Sequence, residues 1–225
     1  MQLPEKPEVI ILDDGFQHRY VKADINIMLV DYNCPIYEDC LLPLGRLRES
    51  LHAKDRANYI IVTKCPPNIS PIEKRIISKH LDLRAYQQLL FTTMKYGDIL
   101  PLDGSSHCPI TSKGSILCIT GIAQPAPYVE YLKKYSEQIK HIAFPDHHNY
   151  SDSDIQRILQ EYAKIDNPNK CIFTTEKDAV RLKLCNLPEE IRQQIFYIPI
   201  EPEFLTPRDQ LIKNIYDYVR QDKRK

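Results

Sequence analysis

At 225 residues, 43% hydrophobic and 27% charged, the chain has an ordinary globular composition and room for one large domain or two small ones. Its 30 basic and 30 acidic residues cancel, which removes any charge pointer to a nucleic-acid partner. No apolar run approaches the roughly 20 residues that span a bilayer, and the first residues lack the apolar core of a signal peptide. Seven cysteines, an odd number without a CxxC spacing, predict a reducing cytoplasm rather than a disulfide framework. The six glycines form neither GxxxxGK[ST] nor GxGxxG, so a phosphate cradle of either kind is missing.

Residues 1–7 read as a polar tail. Residues 9–12 (VIIL) then run into Asp13, Asp14, Gly15, Phe16, Gln17 and His18. A short continuous apolar run predicts a strand buried on both faces. Carboxylates at its carboxyl end would face the crevice where open α/β sheets bind ligands. The same arrangement closes the Walker-B strand of nucleotide triphosphatases, where an Asp helps hold Mg²⁺; the competing reading is an ordinary Asp-Gly turn. Residues 23–31 (ADINIMLVD) predict a second strand, with Asp31 on the same edge as Asp13 and Asp14. A loop with Pro35 and Pro43 follows, then a Gly-Arg-Leu-Arg-Glu turn, a short helix over 51–57 and a buried strand over 58–64. Ser70-Pro71 opens a helix over 72–80, and 87–94 is rich in strand formers. Gly97, Pro101, Asp103-Gly104, Ser105-Ser106 and Pro109 mark a domain boundary within 100–113.

The second half restarts the alternation. Strands are expected over 115–120, 141–144, 170–174 and 194–200. Helices are expected over 127–136, from a Ser151–Asp154 cap to about 164, from 175 onward, and over 209–220. This alternation predicts parallel βαβ units.

Three constellations carry candidate chemistry. Asp13 and Asp14 offer hard oxygen ligands for Mg²⁺, and Arg46, Arg48 and Glu49 lie on a Gly-flanked loop able to present guanidinium forks to phosphate; a solvated charged loop is the plain alternative. His18 and Gln17 are placed to reach the same crevice. Asp146-His147-His148 follows a strand and precedes a capped helix, which suits proton transfer or a metal, against a surface turn. Adjacent residues diverge at a strand end, so one metal would not take both imidazoles. In Thr174-Thr175-Glu176-Lys177-Asp178 the acids fit ordinary capping. Lys177 is the unusual residue at a helix start that can accept an anion.

Taken together, LDDGFQHR (12–19), DINIMLVD (24–31), LLPLGRLRES (41–50), ANYIIVTK (57–64), GIAQP (121–125), FPDHHNY (144–150) and FTTEKDAVRL (173–182) resemble the tetraacyldisaccharide 4'-kinase, or lipid A 4'-kinase, family. The resemblance implies two α/β domains: residues 1–100 as the remainder of a P-loop-type parallel sheet core, and 101–225 as a smaller α/β lid. Residues 88–96 and 194–201 would form a two-stranded β linker. It implies transfer of the γ-phosphate of ATP, with Mg²⁺, to the 4'-hydroxyl of tetraacyldisaccharide 1-phosphate in a Gram-negative bacterium, at the cytoplasmic face of the inner membrane.

By the same resemblance, Asp13 and Asp14 hold the metal, Arg48 and Glu49 meet nucleotide phosphate and metal, and His147 is catalytic as partner of the catalytic base. The residues themselves add Lys177 and His18 as expected nucleotide contacts and Asp14 as an expected catalytic residue. The family's Walker A loop, substrate-side Asp and amphipathic membrane-contacting helix have no counterpart in these residues, and Ser50 stands where a Pro is usual. The expectation is therefore a fragment that binds ATP weakly and is inactive alone. The alternatives are a non-catalytic α/β module that pairs with a separate P-loop chain or grips the acylated disaccharide, and a His-metal hydrolase on Asp146-His147-His148.

Overall fold

The computed structural model describes residues 9–18, 20–104 and 108–222. The expected tail over 1–7, Arg19 of the first motif and Ser105-Ser106 of the boundary cluster lie outside the described residues. The chain divides into two compact units, residues 1–95 with 202–225, and residues 96–201.

The first unit is built on a sheet of order β1-β2-β3-β9: β1 (Ile27–Asp31), β2 (Tyr59–Thr63), β3 (Gln88–Tyr96) and β9 (Ile200–Phe204). β1, β2 and β3 run parallel. Strand β2 is buried almost throughout, and its period of two divides the core. Ile60 and Val62 pack with Ile77 and Leu81 of α1 (Pro71–Leu81). Tyr59 and Ile61 pack with Leu211 and Ile215 of α6 (Asp209–Asp222). Helix α1 starts on a full capping box, with Ser70 and Glu73 bonding one another's backbone N–H and Pro71 at the first position.

The second unit holds a five-stranded sheet of order β4-β8-β7-β5-β6. Its strands are β4 (Leu100–Pro101), β5 (Ser115–Thr120), β6 (Gln138–Ala143), β7 (Lys170–Thr175) and β8 (Ile195–Ile198). All neighbours are parallel except β4 with β8. Its helices are α2 (Ala126–Leu132), α3 (Asp152–Ala163), α4 (Glu176–Lys183) and α5 (Glu189–Arg192). Ile116 and Cys118 of β5 pack with Tyr128 and Leu132 of α2 on one face. Leu117 and Ile119 pack with Ile155 and Ile158 of α3 and Ala179 and Leu182 of α4 on the other. The connections leaving the adjacent strands β5 and β7 thus lie on opposite faces. That makes their carboxyl ends the topological switch point of this sheet, the usual place for a ligand crevice.

Both sheets and the mixed α/β class follow the sequence reading, but four expectations are corrected. Residues 9–12 form no strand: Ile10 is 75% and Ile11 87% exposed. A strand persists only where ladder bonds receive it, and among the described residues the sheet ends at β1 with no outer neighbour. Residues 202–225 belong with the first unit rather than the second, because α6 covers a sheet face there, with Leu211 buried against β2 and the Tyr218 hydroxyl donating to Asp24 at 2.6 Å. The chain crosses between units within β3 and within β9, which neighbour one another in the first sheet, whereas residues 195–198, expected in the linker, are β8 of the second sheet. The strand expected over 23–31 begins only at Ile27.

Candidate functional site

In the first unit the acidic pair sits in a turn rather than at a strand end. Asp14 has a left-handed backbone, φ +48°, which Asp tolerates better than most residues. A Cβ on Gly15 would lie 2.7 Å from the Leu12 Cβ, so the tight turn requires glycine. The His18 N–H closes the turn on the Gly15 carbonyl at 3.0 Å. Asp13 and Asp14 are exposed and unpaired among the described residues. His18 is exposed beside them.

The second motif folds against this turn. Residues 39–47 close on themselves: the Asp39 carboxylate accepts from the N–H groups of Cys40 and Arg46 and pairs with the Arg46 guanidinium at 3.0 Å. A Cβ at Gly45 would collide with the Cys40 carbonyl and the Asp39 carboxylate. Arg46 is thereby spent on the loop itself. Arg48 instead donates to Gln17 Oε1 at 3.0 Å. Arg56, at the end of a 3₁₀ turn over Leu51–Arg56, bonds the Phe16 carbonyl at 3.1 Å, lies over the Phe16 ring and pairs with Glu49 at 2.8 Å. Two segments some 30 residues apart in the chain are so brought together at Phe16 and Gln17, just after the acidic pair. Asp31, expected on the same edge, is instead paired with Lys64 at 2.6 Å across the ends of β1 and β2.

The donor set suits Mg²⁺ in one form. That ion usually takes one or two carboxylates, fills its shell with water and substrate phosphate, and is rarely caged by protein alone. Asp13 and Asp14 meet the requirement, whereas Glu49 is engaged by Arg56. No group of three or more His, Cys, Asp or Glu side chains able to hold a metal occurs among the described residues.

In the second unit the switch point is occupied by a residue that sequence reasoning treated as a cap. Asp178 is completely buried. Its Oδ2 accepts the Gly121 N–H at 2.8 Å and the Thr175 hydroxyl at 2.7 Å, and its Oδ1 accepts Arg181 Nη1 at 3.1 Å. The second Arg181 nitrogen donates to His147 Nδ1 at 3.3 Å. The His147 N–H, on a left-handed residue of φ +59°, bonds the Gly121 carbonyl at 3.2 Å. The GIAQP, FPDHHNY and FTTEKDAVRL segments therefore meet at one carboxylate. The Tyr150 hydroxyl is buried nearby without a hydrogen bond; burial first, then the charge of Asp178, pushes its pKa well up.

The two imidazoles part company, as expected of neighbours at a strand end. His148 stacks on Phe144 with centroids 4.7 Å apart and its Nε2 meets Asp154 at 2.9 Å, which makes it a packing residue. His147 stays exposed, between Arg181 and Asp146. Lys177 is exposed on the first turn of α4. No helix among the described residues is long and apolar enough to cross a membrane.

Residues 2–220 match the family model described as LpxK, tetraacyldisaccharide-1-P 4'-kinase. The tetraacyldisaccharide 4'-kinase of Phocaeicola vulgatus is 46% identical over 96% of this chain and 61% of its own length. That of Bacteroides fragilis (strain YCH46) is 43% identical over all of this chain and 62% of its own length. The chain thus spans about three fifths of the curated relatives it matches. A crystal structure of LpxK from Aquifex aeolicus in complex with ATP has a similar fold, with TM-score 0.60 at 22% identity over 90% of this chain and 55% of that one.

Proposed function

The chain belongs to the tetraacyldisaccharide 4'-kinase family, and from that premise we propose that it supplies the metal-binding turn and the second α/β domain of a lipid A 4'-kinase. The reaction is transfer of the γ-phosphoryl group of ATP to the 4'-hydroxyl of tetraacyldisaccharide 1-phosphate, at the cytoplasmic face of the inner membrane. The observation that carries this reading is the docking of the Asp13–His18 turn onto the 46–56 loop through Arg48–Gln17 and Arg56–Phe16, with Arg56 held from within the loop by Glu49.

In this reading Asp13 and Asp14 hold Mg²⁺, which neutralises phosphate charge as phosphoryl transfer proceeds. Asp14 is the more constrained of the two, because its left-handed backbone fixes the direction of the turn. Arg48 and His18 flank the metal on the nucleotide side, Glu49 acts by fixing Arg56, and Lys177 offers a cation to nucleotide from the second domain. His147 hydrogen-bonds the catalytic base.

The test is a chimaera in which these residues follow the part of the Bacteroides fragilis enzyme outside the match. It should transfer labelled phosphate from ATP to tetraacyldisaccharide 1-phosphate, and Asp14→Asn should lower kcat by about a hundredfold or more, as expected when a ligand of the essential metal is lost. A chimaera that folds, binds ATP and transfers no phosphate sinks the proposal. A second reading, a module that pairs with a separate P-loop chain, is favoured by the exposed apolar run over 9–12 and, among the described residues, by the open sheet edge at β1. Co-purification of such a chain with this one would support it.

A further inference from the structure

We propose that Asp178 and Arg181 are positioning residues for His147. Asp178 grips the His147 backbone through the Gly121 peptide, and Arg181 grips its ring. The proposal deepens the role given to His147 above and rests on that reading for its functional meaning.

Two routes lead from the same carboxylate to the same histidine. Along the first, Asp178 Oδ2 takes the Gly121 N–H, and the Gly121 carbonyl at 3.2 Å shares the His147 N–H with Asp146 Oδ1 at 3.0 Å, so that the left-handed backbone that turns the ring is held both locally and from the buried carboxylate. Along the second, Asp178 Oδ1 takes one arm of the Arg181 fork and His147 Nδ1 takes the other. Guanidinium is a donor only, so the Nδ1 it meets carries no proton. The neutral ring is then held with its proton on Nε2, the nitrogen that lies 3.7 Å from the Asp146 carboxylate. A ring in this state can donate Nε2–H to an approaching carboxylate or phosphate oxygen and still receive a proton at Nδ1 only by breaking the Arg181 bond.

Burial gives the arrangement its rigidity. Asp178 is inaccessible to solvent and Arg181 only partly exposed, so the Asp178 end of the anchor is shielded from water, while the Arg181–His147 bond lies at the surface. Gly121 is needed for the close approach: a Cβ there would lie 2.9 Å from Asp178 Oδ1 and 3.4 Å from the His148 Cβ. A capping role alone would leave the second carboxylate oxygen and the long-range bond to Gly121 without purpose.

The experiment uses the 225-residue chain labelled with ¹⁵N-histidine, with long-range proton–nitrogen correlation recorded at a pH where the rings are neutral. His147 should show a single Nε2–H tautomer. Arg181→Met should convert it to a mixture in which the Nδ1–H form is visible, and Asp178→Asn should do the same with Arg181 still present. The His148 signals, set by Asp154, should stay unchanged in both and so certify the fold. Because Asp178 is buried and its variant can fail to fold, the Arg181→Met result decides alone in that event. A mixture already present in the parent chain, or a His147 signal that ignores Arg181→Met while His148 is unaltered, overturns the proposal. The readout needs no phosphoryl transfer, so it stands or falls apart from the kinase reading.

Discussion

Asp154 and Asp178 begin from the same local pattern, an acid three residues after a hydroxyl at a helix start, and end in different roles. Asp154 completes a capping box with Ser151 at the surface of α3. Its carboxyl is held down to about 2, chiefly by hydrogen bonds from the Ser151 side chain and backbone, with His148 contributing. An unfolded Asp titrates near 3.9 (an approximate reference value), so the folded group has the lower pKa and favours folding fully above about pH 4. That contribution disappears as pH falls through the window from about 4 to about 2. Glu161, held to about 2 mainly by Lys140 and also by Lys164, acts in the same window. We expect Asp154→Asn to cost about 1 kcal/mol or less at neutral pH, given partial exposure and screening, and to flatten the fall in Tm between pH 4 and 2. Thermal melts of both proteins across that range would show parallel curves if the cap were electrostatically silent. Nothing in the nearby sequence separates Asp154 from Asp178. The distinction comes from Gly121, 57 residues away, whose N–H arrives only after β5 and β7 pair.

At the scale of elements, the sequence was most legible where local signals and burial agreed. Ser70-Pro71 and Ser151–Asp154 start helices as their patterns require, and the runs 59–63, 115–120 and 170–175 are strands with hardly an exposed residue. The run 9–12 failed because apolar character reports a place to be buried and cannot supply the neighbour that buries it. Strand β1 shows the same deficit: it is the sheet edge, with Leu29 65% and Ile27 39% exposed. An open parallel edge with apolar side chains is a template for pairing between chains. The chain at rising concentration should therefore form dimers or larger species by light scattering, and Leu29→Lys should shift it toward monomer. A monodisperse monomer over the whole concentration range would show the edge to be protected in solution.

At the scale of the molecule, the two units carry different halves of one chemical task in this proposal, and they are unequal in what they can do alone. The first holds two exposed carboxylates and a docked arginine loop. What grips triphosphate in nucleotide triphosphatases is a row of loop amides and a lysine, and these 225 residues contain no GxxxxGK[ST] pattern to build it. Exposed carboxylates without that cradle attract Mg²⁺ weakly, since the ion surrenders its water reluctantly and relies on the phosphates to share it. The second unit adds Lys177 and the oriented His147, both exposed, which contribute point charge and a hydrogen bond rather than an enclosing site. Calorimetric titration of the chain with Mg·ATP should therefore give a dissociation constant of about 1 mM or weaker, equivalent to no more than about 4 kcal/mol of binding. The chimaera described above should bind far more tightly, and Asp13→Asn with Asp14→Asn should then weaken the Mg²⁺-dependent part of that binding. Micromolar binding by the 225 residues themselves would mean that the carboxylate turn and its arginine loop already form a nucleotide site, and the division of labour argued here would have to be abandoned.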